Sequence, residues 1–581
     1  MLTAQLAAGV YLVAVTGGGL EEAQLVTGRP KGTTALTALG DNLHACVIRC
    51  EDTVTPLSVR TRGGTRMLGS LGEGVTSLQE LARLTLAPLP PAARRRLLEL
   101  VGREAIDAAT PLAVAVCRAC ATLNAMLRER LPVSAFGPEA PLAVVPELLV
   151  RLDEVTFYLR GWMMSRDAEP QRLTALSPEG SRCELLDIAT RVPRPDVGDL
   201  YGDSAENELT RRSGFVAHFR LEQPSFSDHG WTIELANTSG DAVEAAPLNT
   251  VRQPVTARNM ILGDLWLEAP YETTMIERQV EPALARLQDR HINRIALDSL
   301  LSYGSGPSAP EVSLIIPLHR RTDLMQHQLA QFANDPELRD LELIYVLDSP
   351  EVLRLVDLEA AGLHDLYRQP FKVAALRHNA GVAGARNVGA SVAKGRLLVF
   401  CDSDVLPSSA GWVEALAETY DSTPGIGALG AKLAYEDGTI QHAGVFFQYD
   451  GQTRLWKTDH VFRGASSGLR AANVTAAVPA VTGACMMISR ELFQRMGGFT
   501  TAFLQGGYED ADLCLRLLAD GHENWYLPTV ELYHLEGQSY SSELRDLTWR
   551  YNAWLFSRKW GDRLDAMRVP AETLDAWVAA T

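Results

Sequence analysis

The chain has 581 residues, 46% of them apolar and 22% charged, with a formal net charge of -17. This is the composition of a globular protein of roughly three or four domains, and its acidic balance excludes general binding to DNA or RNA, which needs a basic face. Eight cysteines in this length do not make a disulfide scaffold, and no uncharged apolar run reaches the ~18 residues of a membrane span.

The opening MLTAQLAAGVYLVAVTGGGLEE lacks a positive n-region and runs into a Gly turn, so it reads as a first strand and not as a signal peptide. Residues 1–76 continue as short strands (VYLVAV, AQLVTG, HACVIRC, LSVRTRG) separated by turn signals, the cadence of a β-rich module. His44, Cys46 and Cys50 lie in one of these runs. Zinc would need a second ligand pair, which the sequence does not supply at metal spacing, so core packing is the plainer reading. Over 77–150 apolar residues recur at three- and four-residue spacing, predicting a helical segment in which Cys117 and Cys120 share a buried face. Residues 151–260 return to strands and predict a sandwich-like accessory module. Its Trp162, Phe215 and Trp231 read as core, with a sugar-stacking platform as the alternative. Residues 261–310 predict a helical linker ending in the Gly/Ser/Pro cluster YGSGPSAP at 303–310.

From 311 to 545 strands alternate with helices. EVSLIIPLHR gives a strand stopped by Pro317, LELIYVLDSP a strand ending at Asp348, and KVAALRHNAGVAGARNVGASVAKG a strand, a turn and a helix. RLLVFCDSDVLP follows as another strand. Runs that are apolar throughout predict a parallel sheet covered on both faces, with ligands beyond the carboxyl ends of its strands. Asp348, Asn379, Asp402 and Asp404 all fall at such ends. Asp402 and Asp404 would repel unless a cation neutralised them, and Mg2+ or Mn2+ held by carboxylates and substrate phosphates would do so. The spacing alone is weak, because Asp510 and Asp512 repeat it and a capped turn needs the same residues.

The order of blocks settles on one family. VSLIIPLHRR, NAGVAGARNVGASVAKGRLLVFCDSDVLP, KLAYEDGTIQHAG, AVTGACMMISRELFQRMGGF, GGYEDADLCLRLLADGH and YHLEGQSY together resemble the GT-A-fold, inverting family 2 glycosyltransferases. The fold class expected is therefore multidomain, with a C-terminal α/β, Rossmann-like nucleotide-diphospho-sugar transferase domain after β-sandwich-like and helical modules. Within the second β-rich stretch, RGWMM, RVPRPDV and GFVAHF resemble sandwich modules appended to bacterial glycosyltransferases. The resemblance implies a metal-dependent enzyme moving a sugar from a UDP- or dTDP-sugar to a glycan or lipid-linked acceptor in bacterial surface polysaccharide synthesis. A degenerate, glycan-binding domain is the alternative, and a nucleotidyltransferase is disfavoured because LIIPLHRRTD lacks the glycines of its phosphate loop.

Residue by residue, the resemblance places Pro317 beside the nucleotide base and Asp348 on the N3–H of uracil or thymine. Asn379 and Arg386 would contact the nucleotide and its phosphates. Asp402, Asp404 and His534 would hold Mn2+ or Mg2+, with Asp404 the more direct ligand. Gly483 and Ala484 would admit the donor sugar, and Asp510 would be the catalytic base in its acidic pair with Glu509. Asp510 also opens the amphipathic run DADLCLRLLADG, where a helix dipole favours a negative charge. Asp512 is assigned to capping, and Tyr508 to a sugar wall or, more plainly, to the core. The tail 546–581, with LTWRYNAWLFSRKWGDRL just inside it, interleaves aromatics with cations. It reads as a helix packed on the catalytic domain, or else as a peripheral contact to the inner membrane of a cytoplasmic protein.

Overall fold

The computed structural model describes residues 2–567 apart from short segments, the longest being 50–55, 82–88, 202–212 and 536–541. The chain divides into two compact units, Met1–Leu287 and Gln288–Thr581.

In the first unit, Leu2–Ala7, Val10–Thr16 and Leu43–Arg49 pair antiparallel, and a second sheet is built on Gln24–Thr27 and Pro56–Thr61. Strand alternation explains the packing, because successive side chains point to opposite faces. Tyr11, Val13, Val15 and Cys46 meet Leu25, Leu57 and Val59 between the sheets, while Leu12, Ala14 and Val47 face the helices Pro91–Ile106 and Thr110–Leu127. Cys117 and Cys120 lie in that helix–sheet core, and burial pushes the Cys117 thiol up to about 12. His44 and Cys46 are buried in the sheet; Cys50 lies outside the described residues.

The second module starts earlier than its sequence suggests, with the strand Leu142–Arg151 inside the predicted helical segment. Its two sheets enclose Phe157, Phe215, Phe219 and Trp231, so Phe215 and Trp231 are core residues. Trp162 is 6% exposed and packs with Val197 and Tyr201. All three aromatics are enclosed, which leaves no platform for a sugar ring.

In the second unit the sheet runs in the order 297–303, 371–376, 342–347, 312–318, 397–401, 485–489, 426–434, 523–534, 405–407. Four neighbouring strands, 371–376 to 397–401, are parallel. The rest make the sheet mixed, because 485–489 joins antiparallel to 397–401 and 426–434. Two expectations are corrected here. The predicted helical linker is helical over Tyr271–Met275, Ile276–Val280 and Glu281–Ile292, but Leu297–Tyr303 is an edge strand antiparallel to Phe371–Leu376, with Tyr303 stacked on Phe371 at 5.0 Å. The unit therefore begins before the Gly/Ser/Pro cluster and not after it. The described part of the tail follows the packed-helix reading. Ser542–Ala566 is a helix whose Ala553, Phe556 and Leu564 share a core with Phe503, Tyr508 and Leu515. No helix among the described residues is long and apolar enough to cross a membrane.

Candidate active site

The strand Leu397–Cys401 is buried at every position and delivers Asp402 to the carboxyl edge of the sheet. The chain then turns, with the Val405 N–H donating to the Asp402 carbonyl at 3.2 Å, and starts the short strand Val405–Pro407. That strand pairs antiparallel with Glu523–His534 in a register that sets Val405 opposite His534. Sheet pairing is thus what brings a histidine 130 residues downstream beside the two aspartates. Ligand atoms of Asp402, Asp404 and His534 all lie within 4.8 Å of one another.

His534 is oriented from behind. Its Nδ1 lies 2.7 Å from Gln441 Oε1, and its Nε2 faces Asp404 Oδ1 across 3.2 Å. Against the cost of burial, the hydrogen bond and charge of His534 hold the Asp404 carboxyl below the usual carboxylate range. Two carboxylates and an imidazole, one ring nitrogen of which is fixed by a neighbour, are a fitting donor set for a divalent ion, and the imidazole favours Mn2+ over Mg2+.

Asp402 is differently placed. Arg386, from the helix Gly381–Val392, donates to Asp402 Oδ1 at 2.6 Å and to Glu509 Oε1 at 3.2 Å while only 2% exposed. Arg386, expected at the phosphates, here pairs with two carboxylates, as a buried guanidinium must, forming a brace between them, and its Nε has no hydrogen-bond partner. It supplies Asp402 with a counter-charge, leaving Asp404 the freer ligand. Glu509 is equally enclosed. Burial, then the charge of Asp510, pushes its carboxyl up to about 7 against the pull of Arg386. Its place is in the brace, whereas Asp510 is only half-buried.

Asp510 opens the helix Glu509–Ala519, and its carboxylate accepts from Gly483 N–H at 2.9 Å and Ala511 N–H at 2.7 Å. Gly483 is glycine for a visible reason: a Cβ there would lie 2.5 Å from a terminal nitrogen of Arg386. The close approach it permits is to Arg386. Ala484 accepts from Asp402 N–H at 3.0 Å, tying the aspartate turn to the strand Cys485–Ser489. The loop before Asp510 is held in unusual backbone, with Gln505, Gly506, Gly507 and Tyr508 all at positive φ. Asn552, fully buried on the C-terminal helix, clamps it through Leu504 N–H and the carbonyls of Leu504 and Gly506. Tyr508 is 2% exposed among Phe503, Trp549 and Phe556, so it is a core residue and no sugar wall. Asp512 is more than a cap: it is buried and bonded to Thr500, Arg516, Lys559 and Trp560, the last two on the C-terminal helix.

A second cluster forms at the neighbouring strand ends. The strand Val312–Leu318 does not stop at Pro317 but runs one residue beyond it. Pairing with 397–401 has already ended at Ile315, so the missing N–H of Pro317 costs no ladder bond on that side. Asp348 N–H donates to Leu318 O at 2.8 Å, and the Asp348 carboxylate accepts from Ala380 N–H at 2.5 Å and Asn379 Nδ2 at 2.9 Å. Asp348 and Asn379 thereby lock two strands to the start of the Arg386 helix. Burial pushes the Asp348 carboxyl up to about 7 even against these hydrogen bonds.

Three positioning residues escaped the sequence reading: Gln441, Asn552, and Gln328, which is fully buried and donates to the Asp402 and Val405 carbonyls at 2.9 Å each. A buried amide carries no spacing signal. Gln441 alone stood inside a recognised block, KLAYEDGTIQHAG.

Residues 313–497 match the glycosyl transferase family 2 model, and 463–537 match the N-terminal domain of galactosyltransferase. An uncharacterized protein of Sinorhizobium fredii is 30% identical over 291 residues, covering 47% of this chain and 30% of that protein. The O-antigen biosynthesis protein RfbC of Myxococcus xanthus is 28% identical over 237 residues, covering 40% of this chain and 18% of that protein. The chain thus spans less than a third of the length of either relative. Among solved structures, GalNAc-T7 with UDP, GalNAc and Mn2+ aligns at 20% identity and TM-score 0.31, covering 40% of this chain and 46% of that one. The mannosyltransferase PcManGT of Pyrobaculum calidifontis with GDP-Man and Mn2+ aligns at 16% and TM-score 0.29, covering 56% and 91%.

Proposed function

Because the chain carries a family 2 glycosyltransferase domain, we propose that it is a metal-dependent, inverting glycosyltransferase that moves a sugar from a UDP- or dTDP-sugar to a hydroxyl of a glycan or lipid-linked saccharide. The observation that carries this reading is the convergence of Asp402, Asp404 and His534 at the carboxyl edge of the sheet, with Arg386 joining Asp402 to Glu509, the neighbour of Asp510. Asp404 and His534 would hold the ion, with Asp402 in support. When bound, it would offset the charge of the departing diphosphate. Asp510, held by two backbone amides, would take the proton of the acceptor hydroxyl as the new bond forms, a contribution of about 10²–10⁴ in rate. Glu509 and Arg386 keep Asp510 and Asp402 in a fixed relation. Asp348 and Asn379 would receive the base and Pro317 would flank it, with Gly483 and Ala484 forming the floor between the aspartates and the base. A role in surface polysaccharide synthesis follows the name of the Myxococcus relative. The cytoplasmic face of the inner membrane is where such donors would meet a lipid-linked acceptor.

The test is a thermal-shift screen of nucleotide-sugars with and without Mn2+, followed by transfer assays. Asp404→Ala should lose metal-dependent donor binding, whereas Asp510→Asn should bind donor normally and lose turnover by about 10²-fold or more. Near-normal turnover in either variant would refute the role given to that residue.

A further inference from the structure

The helix Leu353–Tyr367 follows the strand Glu342–Leu347 and covers one face of the sheet. It packs inward through Val356 and Ala360, with Leu353, Leu363 and Tyr367 beside them. The outer face of such a helix is ordinarily polar. Here it is not: Leu355 is 50% exposed, Leu358 74% and Leu366 66%. At about 100° per residue these three and Gly362 fall on one stripe, turned away from the buried side.

Gly362 sharpens the point. A Cβ there would meet no atom within 4 Å, so nothing inside the chain calls for glycine at this position. A glycine in a helix interior costs about 1 kcal/mol relative to alanine. Scattered exposed leucines are ordinary, but three of them in line around a bare piece of backbone mark a contact surface.

The charges beside the stripe say what covers it. Arg354 and Asp365 stand on the same flank, about three turns apart. Arg354 has no ion pair among the described residues. Asp365 meets Arg368 at 3.4 Å with both side chains mostly exposed, a pair that holds it only weakly. In a twofold contact, residue i of one copy meets residue j of the other and j meets i. A second copy of the helix, laid antiparallel, sets Arg354 against Asp365 of the other copy, twice. It also lays Leu358 of each helix over Gly362 of the other. Both pairings are centred near residue 360, so a single register satisfies them. An anionic lipid surface fits less well, because Asp357, Glu359 and Asp365 outnumber Arg354 and Arg368 around the stripe.

We propose that Leu353–Tyr367 is a self-association surface through which two copies of this chain pair as antiparallel helices. Two short helices make a small interface, so the dimer is of the weak, concentration-dependent kind. The surface takes no residue of the candidate active site, and its failure would leave the transferase reading untouched.

Sedimentation equilibrium of the full chain, between about 1 and 300 µM, should show a monomer–dimer equilibrium. Leu358→Glu should raise the dissociation constant about 100-fold or more, since by symmetry each loss counts twice. Arg354→Glu and Asp365→Arg should each raise it about tenfold, and the double variant should return to within about threefold of the parent. That rescue is a readout that damage to the fold would not produce. All four variants should keep the circular dichroism and Mn2+ affinity of the parent, because the altered side chains are exposed. A monomer throughout the range, whether or not it co-sediments with anionic vesicles, would overturn the proposal. So would a dimer that Leu358→Glu leaves intact, or a double variant that fails to recover.

Discussion

Replacing Arg386 by methionine removes the cation that lies between two carboxylates and keeps most of the side-chain volume. The guanidinium is 2% exposed and donates at 2.6 Å to Asp402 and at 3.2 Å to Glu509, while its face lies over the Phe499 ring at 5.5 Å. Breaking a buried pair by removing one partner costs about 3–5 kcal/mol, because the other partner is left as an uncompensated charge. The cost depends on pH, and its sign follows from Glu509. Its carboxyl is already pushed up to about 7, and Arg386 is a group that pulls it down, so the variant moves it higher. A carboxyl whose folded value exceeds its ordinary 4.5 gives stability that is fully present below 4.5 and lost as pH rises through the folded value. The destabilisation should therefore be largest near pH 8 and shrink towards pH 5.5, where Glu509 is protonated and only Asp402 is left unpaired. Hydrogen exchange is the right assay, because a chain of two compact units does not unfold in a single step. Amides of Gly381–Val392 and Leu397–Cys401 should exchange about 10²-fold faster or more at pH 8, after correction for the intrinsic rate. Protection within about tenfold of the parent at pH 8, or a loss that does not vary with pH, would refute the brace.

Gln441→Ala frees the His534 ring to rotate and should weaken Mn2+ binding about 10–100-fold with little change in thermal stability, as read by calorimetric titration of the ion. Asp348→Asn removes a carboxyl pushed up to about 7 from an ordinary 3.8, a group whose stabilising contribution fades as pH rises through 7. Relative to the parent, the variant should gain about 2–3 kcal/mol between pH 5 and pH 8, measured by exchange in Glu342–Leu347; parallel profiles would count against it. Asn552→Ala unclamps the positive-φ loop and should lower kcat by about tenfold or more while the donor KM stays within about twofold, a split that steady-state kinetics can resolve.

The sequence by itself determined the alternation of strands and helices after residue 311, the carboxylates at the strand ends and the order of the blocks. Each of these is written in a local signal: an apolar run, a turn residue, or a spacing of two or four. The same local signals failed at Leu297–Tyr303, where the leucine spacing read as a helix but the open edge of Phe371–Leu376 accepted the segment as a strand. They failed again at Pro317, which stops an isolated strand but is tolerated where a neighbouring ladder has ended. Only the tertiary structure decided which groups the site residues meet. Arg386 and Glu509 stand 123 positions apart, and His534 and Gln441 stand 93 apart. Whether an arginine meets a phosphate or two buried carboxylates depends on what the fold brings beside it, and no periodicity along the chain encodes that. Burial then set the charges, raising Asp348 and Glu509 towards neutrality while His534 held Asp404 ionised.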